Sequence, residues 1–463
     1  MARPVCSDHA RDAGRALLPE KCRESALTPV QAQGSSVLEA SANFVNVVVG
    51  AGIVGLPWVL LQAGFWTALL ELLLCCWLTH KSVCMLIDLG IAHRIQNYED
   101  LAEHALGSAG KLAVSLALLA FDYGAMLSYE IILADAASDV VYELGGYGAD
   151  RPRSVRSMCL VGCSLVLILP SCLLRDVAHL ERLSAVSVLT VVVIIAIVFA
   201  KYTASESQYS ASRITNLWPA GGGGTDSGAD ADAHTVQAVG PNVFKSFSII
   251  AFSFVCHDSA FLIFGSLRRP SSARWRAVSK LSLSAALATC LLLAVPGYLT
   301  FGFLTEPNLL NNYRTSDGAV IVMRGIYVLT MAFTYPLTFF VARHIVNVWL
   351  FRGALYEPVA RMPLARHLGL SLGLFFSALA IALVVTNLGD VMSLAGSLGA
   401  VVLGFMLPPL CKLRLDRAHS VRFWRDAHPL ESARATLPCV GFIAFGTVAI
   451  AGSVLQVLYP GEQ

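Results

Sequence analysis

Gly50-Ala51-Gly52-Ile53-Val54-Gly55-Leu56-Pro57 lies inside an apolar run that opens near Ser36 and closes near Leu61. Three glycines and a proline within eight residues interrupt any helix formed there. In water the interruption would be an ordinary turn. Hydrocarbon offers no hydrogen-bond partners, so unwound backbone persists at membrane depth only where it faces protein or a polar cavity. Pro57 has no amide hydrogen, which is expected to free the Ile53 carbonyl, and the glycines let a ligand approach the main chain closely. The stretch therefore reads as the broken middle of a transmembrane helix, shaped as a binding site.

The surrounding composition agrees. The 463-residue chain is 56% hydrophobic and 14% charged, with mean hydropathy +0.65; soluble domains have roughly 45–50% apolar and about 25% charged residues. At about 20 residues per span the apolar runs read as roughly eleven helices. They fall near 36–61, 66–91, 112–141, 155–174, 181–201, 239–266, 278–302, 318–350, 367–387, 390–411 and 438–459. The fold class is thus an all-α integral membrane protein. Basic residues cluster at Arg268, Arg269, Arg274, Arg276 and Lys280 and again from Lys412 to Arg434. With the N-terminus in the cytosol, these clusters obey the positive-inside rule, and they read as topology anchors rather than a nucleic-acid surface. Nearly all the cysteines fall in expected helices, so no disulfide framework is implied. Cys159 and Cys163, one turn apart without nearby His or carboxylate, read as packing.

Segments without periodic apolar character mark the expected boundaries: a cytosolic tail over 1–35, a Gly/Asp-rich non-cytosolic loop over 202–238, and a basic cytosolic loop over 414–437. The tail lacks the apolar core of a cleaved signal peptide. The loop, with its run Gly221 to Gly224, cannot bury a core and is expected to be disordered.

Polar residues inside the spans are the functional candidates. Asn46 stands one turn before Gly50, where its amide either bonds between helices or coordinates an ion or substrate. Glu71 lies deep in helix two. Helix three carries Asp122, Tyr129, Glu130, Asp135 and Asp139; Tyr129 is placed to wall a cavity, and Asp135 and Asp139 read as ion-attracting or as partners of Arg151 or Arg153. In helix six, Ser253, Cys256, His257 and Asp258 interrupt an aromatic and aliphatic run that includes Phe252. His257 is either a proton carrier or a neutral hydrogen-bonded side chain. In helix eight, Thr330, Thr334 and Thr338 recur every four residues, and Pro336 frees the Ala332 carbonyl, an oxygen-rich face suited to a small hard cation. The competing account has the threonines bonding back to their own helix.

The string Ser41 to Pro57, with Gln62-Ala63-Gly64-Phe65 after it, resembles the first helix of the amino acid/auxin permease family, in particular its sodium-coupled neutral amino acid transporter branch, solute carrier family 38. Gly124 to Asp135, Phe254-Val255-Cys256-His257 and Pro296 to Gly302 also resemble that family's third, sixth and seventh helices. The resemblance implies a LeuT-like arrangement, with inverted five-helix repeats over 36–201 and 239–413 and an eleventh helix over 438–459. It also implies a sodium ligand at Thr334, in Phe-Thr-Tyr-Pro. The 202–238 loop has neither the cysteines nor the glycosylation sequons common in that branch.

These features lead to a secondary active transporter of neutral amino acids working by cation symport, with sodium ahead of protons. Its substrate would sit against the backbone of Gly50, Ala51 and Gly52 and of Ser253 to Cys256, with Tyr129 and Phe252 setting substrate size. Asn46 and Thr334 would hold the ion, and His257 would carry protons if protons drive transport. No cofactor is expected beyond the coupling Na+ or H+, and the expected partners are the amino acid and the lipid bilayer, with no obligate protein partner. The membrane would be the plasma membrane or a vacuolar or lysosomal one. A proton-coupled vacuolar or lysosomal transporter and a non-transporting amino acid sensor are the alternatives. An enzyme is disfavoured because Gly-x-Ser-x-Gly, His-Glu-x-x-His and paired catalytic aspartates are lacking.

Overall fold

The computed structural model describes residues 34–146, 152–175, 184–204, 213–214, 235–351, 362–420 and 429–459. The tail to residue 33, most of the 202–238 loop and the centre of the basic 414–437 loop lie outside them, as does Arg151. Every regular element among the described residues is helical, apart from an isolated bridge between Ser35 and Leu267.

Each apolar run becomes a helix. The first span is Val37–Val48 followed by Leu56–Ala63; the second is Phe65–His93 and the third Ser108–Leu144. The fourth covers Arg153–Cys172 with a π-helical turn at Ser164–Ile168, and the fifth is Ser184–Thr203. The sixth splits into Val243–Phe254 and His257–Ser266; the seventh is Ser272–Phe301 and the eighth Gly318–Leu350. The ninth is Leu364–Val384, the tenth Leu388–Ala395 continuing to Ser420, and the eleventh Pro429–Leu458. Among the described residues, nine helices are long and apolar enough to cross a bilayer; the bent first pair would make ten, with Leu189–Thr203 a shorter apolar helix.

Local chemistry sets these boundaries. Ser36 caps the first helix in a reciprocal box with Glu39, and Asp317 caps the eighth by accepting from the Ala319 and Val320 amides. The chain turns from the first span into the second at Gly64, whose φ of 83° suits glycine. There is no room for a side chain: a Cβ would lie 2.7 Å from the Gly240 nitrogen, so the turn packs directly on the entry to helix six.

The first break is tighter than the sequence suggests. Helix one stops at Val48, Gly50 is extended (φ −105°, ψ −154°), and the chain then coils as a 3-10 helix over Ala51–Gly55 before Leu56–Ala63 begins. The two halves meet at 55°. The expectation of a free Ile53 carbonyl is overturned, because the Leu56 amide donates to it. Three-residue spacing supplies the donor that Pro57 removes from the four-residue ladder.

Charged pairs gather at both ends of the bundle. At one end Arg276 meets Asp88 at 3.0 Å and Lys412 meets Asp416 at 2.9 Å, all on partly exposed side chains. The other end is more enclosed. Arg324 of helix eight, 1% exposed, pairs with Asp139 of helix three at 2.8 Å and donates to the carbonyls of Leu310 and Tyr313. Asp135 is held by Arg156 at 2.8 Å and by the amides of Asn308 and Asn311, correcting the expected pairing with Arg153. These bonds lay the segment between helices seven and eight over the first break, where the Pro307 carbonyl faces Gly55. Lys245 at the start of helix six meets Asp390 of helix ten at 2.6 Å and lies 5.1 Å above the Trp58 ring. Asn387 caps the start of helix ten, accepting from the Gly389 and Asp390 amides.

Candidate functional site

The sixth helix breaks as the first does. It ends at Phe254, Val255 is extended (φ −67°, ψ 131°), Cys256 turns (φ −151°, ψ 15°), and His257 starts the second half. The two breaks face each other through Gly52 and Ser253. A Cβ on Gly52 would collide with the Ser253 hydroxyl and sit 3.1 Å and 3.2 Å from its Cβ and Cα. Glycine is required there because the neighbouring main chain occupies the space.

Around this contact the structure gathers most of the residues assigned to the substrate. The Tyr129 hydroxyl is 3.9 Å from where a Cβ would stand on Gly50. Phe252 is buried, its ring centroid 5.2 Å from that of Phe121 on helix three. Gly396 of helix ten presses on the Ser248 carbonyl and approaches the Phe252 side chain, and Gly399 presses on Phe121. Those glycines lie in a π-helical stretch, Gly396–Met406, whose wide turns bring helix ten against helices three and six. Cys256 is fully buried at the break.

Electrostatically, the breaks present helix termini to one another. Neither the 3-10 coil at Ala51 nor the second half of helix six at His257 has a side-chain cap, so their leading amides point outward from positive dipole ends. The halves ending at Val48 and Phe254 contribute carbonyls and the opposite partial charge. A zwitterion with a carboxylate and an ammonium matches that pattern. In this conformation the contact is closed, with Tyr129 and Phe252 each 6% exposed. A cavity of about 820 Å³ lies elsewhere, at the Arg276 end, lined by residues including His80, Lys81, Asp88 and Lys412.

Thr334 donates its hydroxyl to the Thr330 carbonyl at 2.8 Å, and Thr330 meets the Thr190 hydroxyl of helix five at 2.7 Å. Helix five also packs on the Val37–Val48 half that carries Asn46. Back-bonding uses the Thr334 hydrogen, and a hydroxyl that donates can still accept through its oxygen. His257 is 1% exposed; its Nε2 lies 3.1 Å from the Ser82 hydroxyl, which donates to the Gly404 carbonyl. A Cβ at Gly404 would come within 3.2 Å of the imidazole. The histidine thus sits wedged between helices two and ten.

Several participants escaped sequence reasoning. Ser82 and Phe121 carry no motif of their own, and only the packing places them. Tyr335 donates to Glu130 at 3.0 Å, and its ring centroid lies 6.5 Å from that of Tyr129, although the adjacency of Tyr335 to Thr334 and Pro336 was a readable hint.

Residues 33–457 match the family described as transmembrane amino acid transporter protein. A rat protein provisionally named sodium-coupled neutral amino acid transporter 11 is 30% identical over 441 residues, covering 95% of this chain and 89% of the rat protein. Vacuolar amino acid transporter 2 of Saccharomyces cerevisiae is 24% identical over 405 residues, covering 85% and 79%. Among solved structures, a mutant of the manganese transporter of Eremococcus coleocola superposes with a TM-score of 0.46 at 13% identity, covering 90% of this chain and 94% of that one. Relatives and family are transporters rather than enzymes. With the match spanning both broken helices and every span between and after them, the chain belongs to the transmembrane amino acid transporter family.

Proposed function

We propose that this protein carries a neutral amino acid across its membrane in symport with a cation, sodium ahead of protons. The observation that carries the reading is the meeting of two interrupted helices at Gly52 and Ser253, deep in the bundle, with uncapped helix termini on both sides. The substrate carboxylate takes the leading amides of Ala51 and Gly52, and the ammonium takes carbonyls at the end of the first half of helix six, from Ser253 toward Cys256. Tyr129 and Phe252 bound the side-chain pocket. Because the two breaks are pressed together here, the substrate enters only when the halves of the molecule part. Segments 36–201 and 239–413, read as inverted repeats, would rock against one another to do so.

Asn46 and Thr334 are our assignment for the sodium site; the helices that carry them both pack on helix five. The sodium-coupled name of the rat relative favours the same ion. One sodium ion entering down 100 mV supplies about 2.3 kcal/mol, enough for roughly fifty-fold accumulation of a neutral solute. We place the N-terminus in the cytosol, on the side of the Arg276 cluster, in the plasma membrane or a vacuolar or lysosomal membrane. Uptake of a panel of labelled amino acids into proteoliposomes, with sodium replaced by choline at fixed pH, tests the proposal. Uptake that falls with sodium supports it, and uptake unchanged in choline removes sodium coupling.

A second reading, proton coupling, is favoured by two acidic side chains buried in the membrane interior. Neither oxygen of Glu71 has a hydrogen-bond partner among the described residues, and Glu130 has one satisfied oxygen. His257, held by Ser82, is the further proton-linked candidate.

A further inference from the structure

Glu130 is the most enclosed carboxyl of helix three, fully buried one residue after Tyr129. Its Oε1 accepts from the Tyr335 hydroxyl at 3.0 Å, while Oε2 is buried without a hydrogen-bond partner among the described residues. We propose that Glu130 is a proton-binding site that holds its proton while the substrate site is closed and releases it when that site opens. The inference rests on the transporter reading above and adds to it a named residue and a conformational trigger.

Among the described residues no cation pairs with the Glu130 carboxyl. Tyr335 faces it from helix eight, Cys172 from the end of helix four and Tyr123 from its own helix, all neutral when protonated. Between Val391 and Leu410 helix ten has no titratable residue, and the first span has only Glu39, near its start. On helix nine the residue facing Tyr123 is Ser377, while Arg366 and His367 lie at the far end of that helix, His367 bonded to the Leu173 carbonyl. Arg343 of helix eight donates through Nη1 to the Cys172 carbonyl and the Ser371 hydroxyl, its guanidinium over the Phe340 ring, and its Nη2 is buried without a hydrogen-bond partner among the described residues. An unpaired charge in such a place costs several kcal/mol, and one hydrogen bond from a neutral phenol does not offset it.

Oε2 therefore carries the hydrogen in this state. Release breaks the Oε2–H bond, leaves the electron pair on the carboxylate and passes the proton to water entering the opened pathway. The link to substrate is short. Tyr129 reaches toward Gly50, Tyr335 lies beside Tyr129 and follows Thr334, and any parting of helices three and eight moves both tyrosines and exposes the carboxyl.

The test is made on the full-length protein in lipid. Infrared difference spectra across a pH titration should show a carboxylic acid carbonyl stretch near neutral pH that is lost in Glu130→Gln and displaced in Tyr335→Phe, which removes the hydrogen bond alone. Substrate uptake in proteoliposomes should vary by up to about tenfold per pH unit in the parent, the limit for a single proton. In Glu130→Gln that slope should flatten to less than about twofold. An acid band unchanged in Glu130→Gln, or a pH profile identical to that of the parent, overturns the proposal. If Glu130→Gln fails to fold, a band unmoved in Tyr335→Phe overturns it equally. The infrared readout needs no transport, so an inactive protein that keeps the Glu130 band would refute the transporter reading and leave the proton site standing.

Discussion

Placing a single methyl group on Gly52 tests the central contact most directly. In Gly52→Ala the added Cβ meets the Ser253 hydroxyl, which can rotate away, but it also lies 3.1 Å from Ser253 Cβ and 3.2 Å from Ser253 Cα. Cα belongs to the main chain of helix six and cannot step aside alone, so the two breaks must separate by a few tenths of an ångström. Overpacking of this kind costs about 1–3 kcal/mol. The same two breaks must close again on the substrate once it has entered, so the cost carries into the bound state and KM for uptake should rise by roughly 5- to 150-fold. The bulkier Gly52→Val should abolish uptake. Adding Ser253→Gly to Gly52→Ala removes both Oγ and Cβ from the collision and should restore much of the loss, against a helix cost of about 1 kcal/mol for the new glycine. The assay is labelled uptake in proteoliposomes, with thermal melting of the purified protein as the control for folding. A Gly52→Ala protein with KM within about twofold of the parent would refute the reasoning.

Three further outcomes follow from particular residues. Thr334→Ala should raise the sodium concentration needed for half-maximal uptake while Thr334→Ser keeps it; an unchanged sodium requirement in the alanine variant would show that this hydroxyl only bonds back to Thr330. Arg324→Met removes the buried guanidinium that pairs with Asp139 and frees the Leu310 and Tyr313 carbonyls, so it should cost about 3–5 kcal/mol, read as a large fall in melting temperature, with Asp139→Asn recovering part of it. Glu71→Met replaces a carboxyl whose two oxygens lack partners among the described residues, and it should be neutral or raise the melting temperature. A marked loss of stability there would mean that Glu71 has a partner in the folded protein.

The sequence by itself determined where the spans lie and where the first one breaks. Both are local properties: transfer from water into lipid depends on a run of about 20 side chains, and the ability of main chain to leave a helix depends on glycine and proline within it. The residues ahead of Gly50 and those after Val255 could accordingly be named before any packing was known. What only the tertiary structure decided is which groups meet. Ile53 finds a donor through a 3-10 turn, Asp135 takes Arg156 and two asparagines, and Asp390 takes Lys245. His257 rests on Ser82, and Glu130 is left with a single phenol. Apart from the Ile53 turn and Arg156, these pairs join residues more than a hundred positions apart, for example Glu130 and Tyr335. Their choice depends on the rotation and depth of each helix in the bundle, set by contacts such as Gly396 on Ser248 and Gly399 on Phe121, where no local pattern of hydrophobicity records the partner.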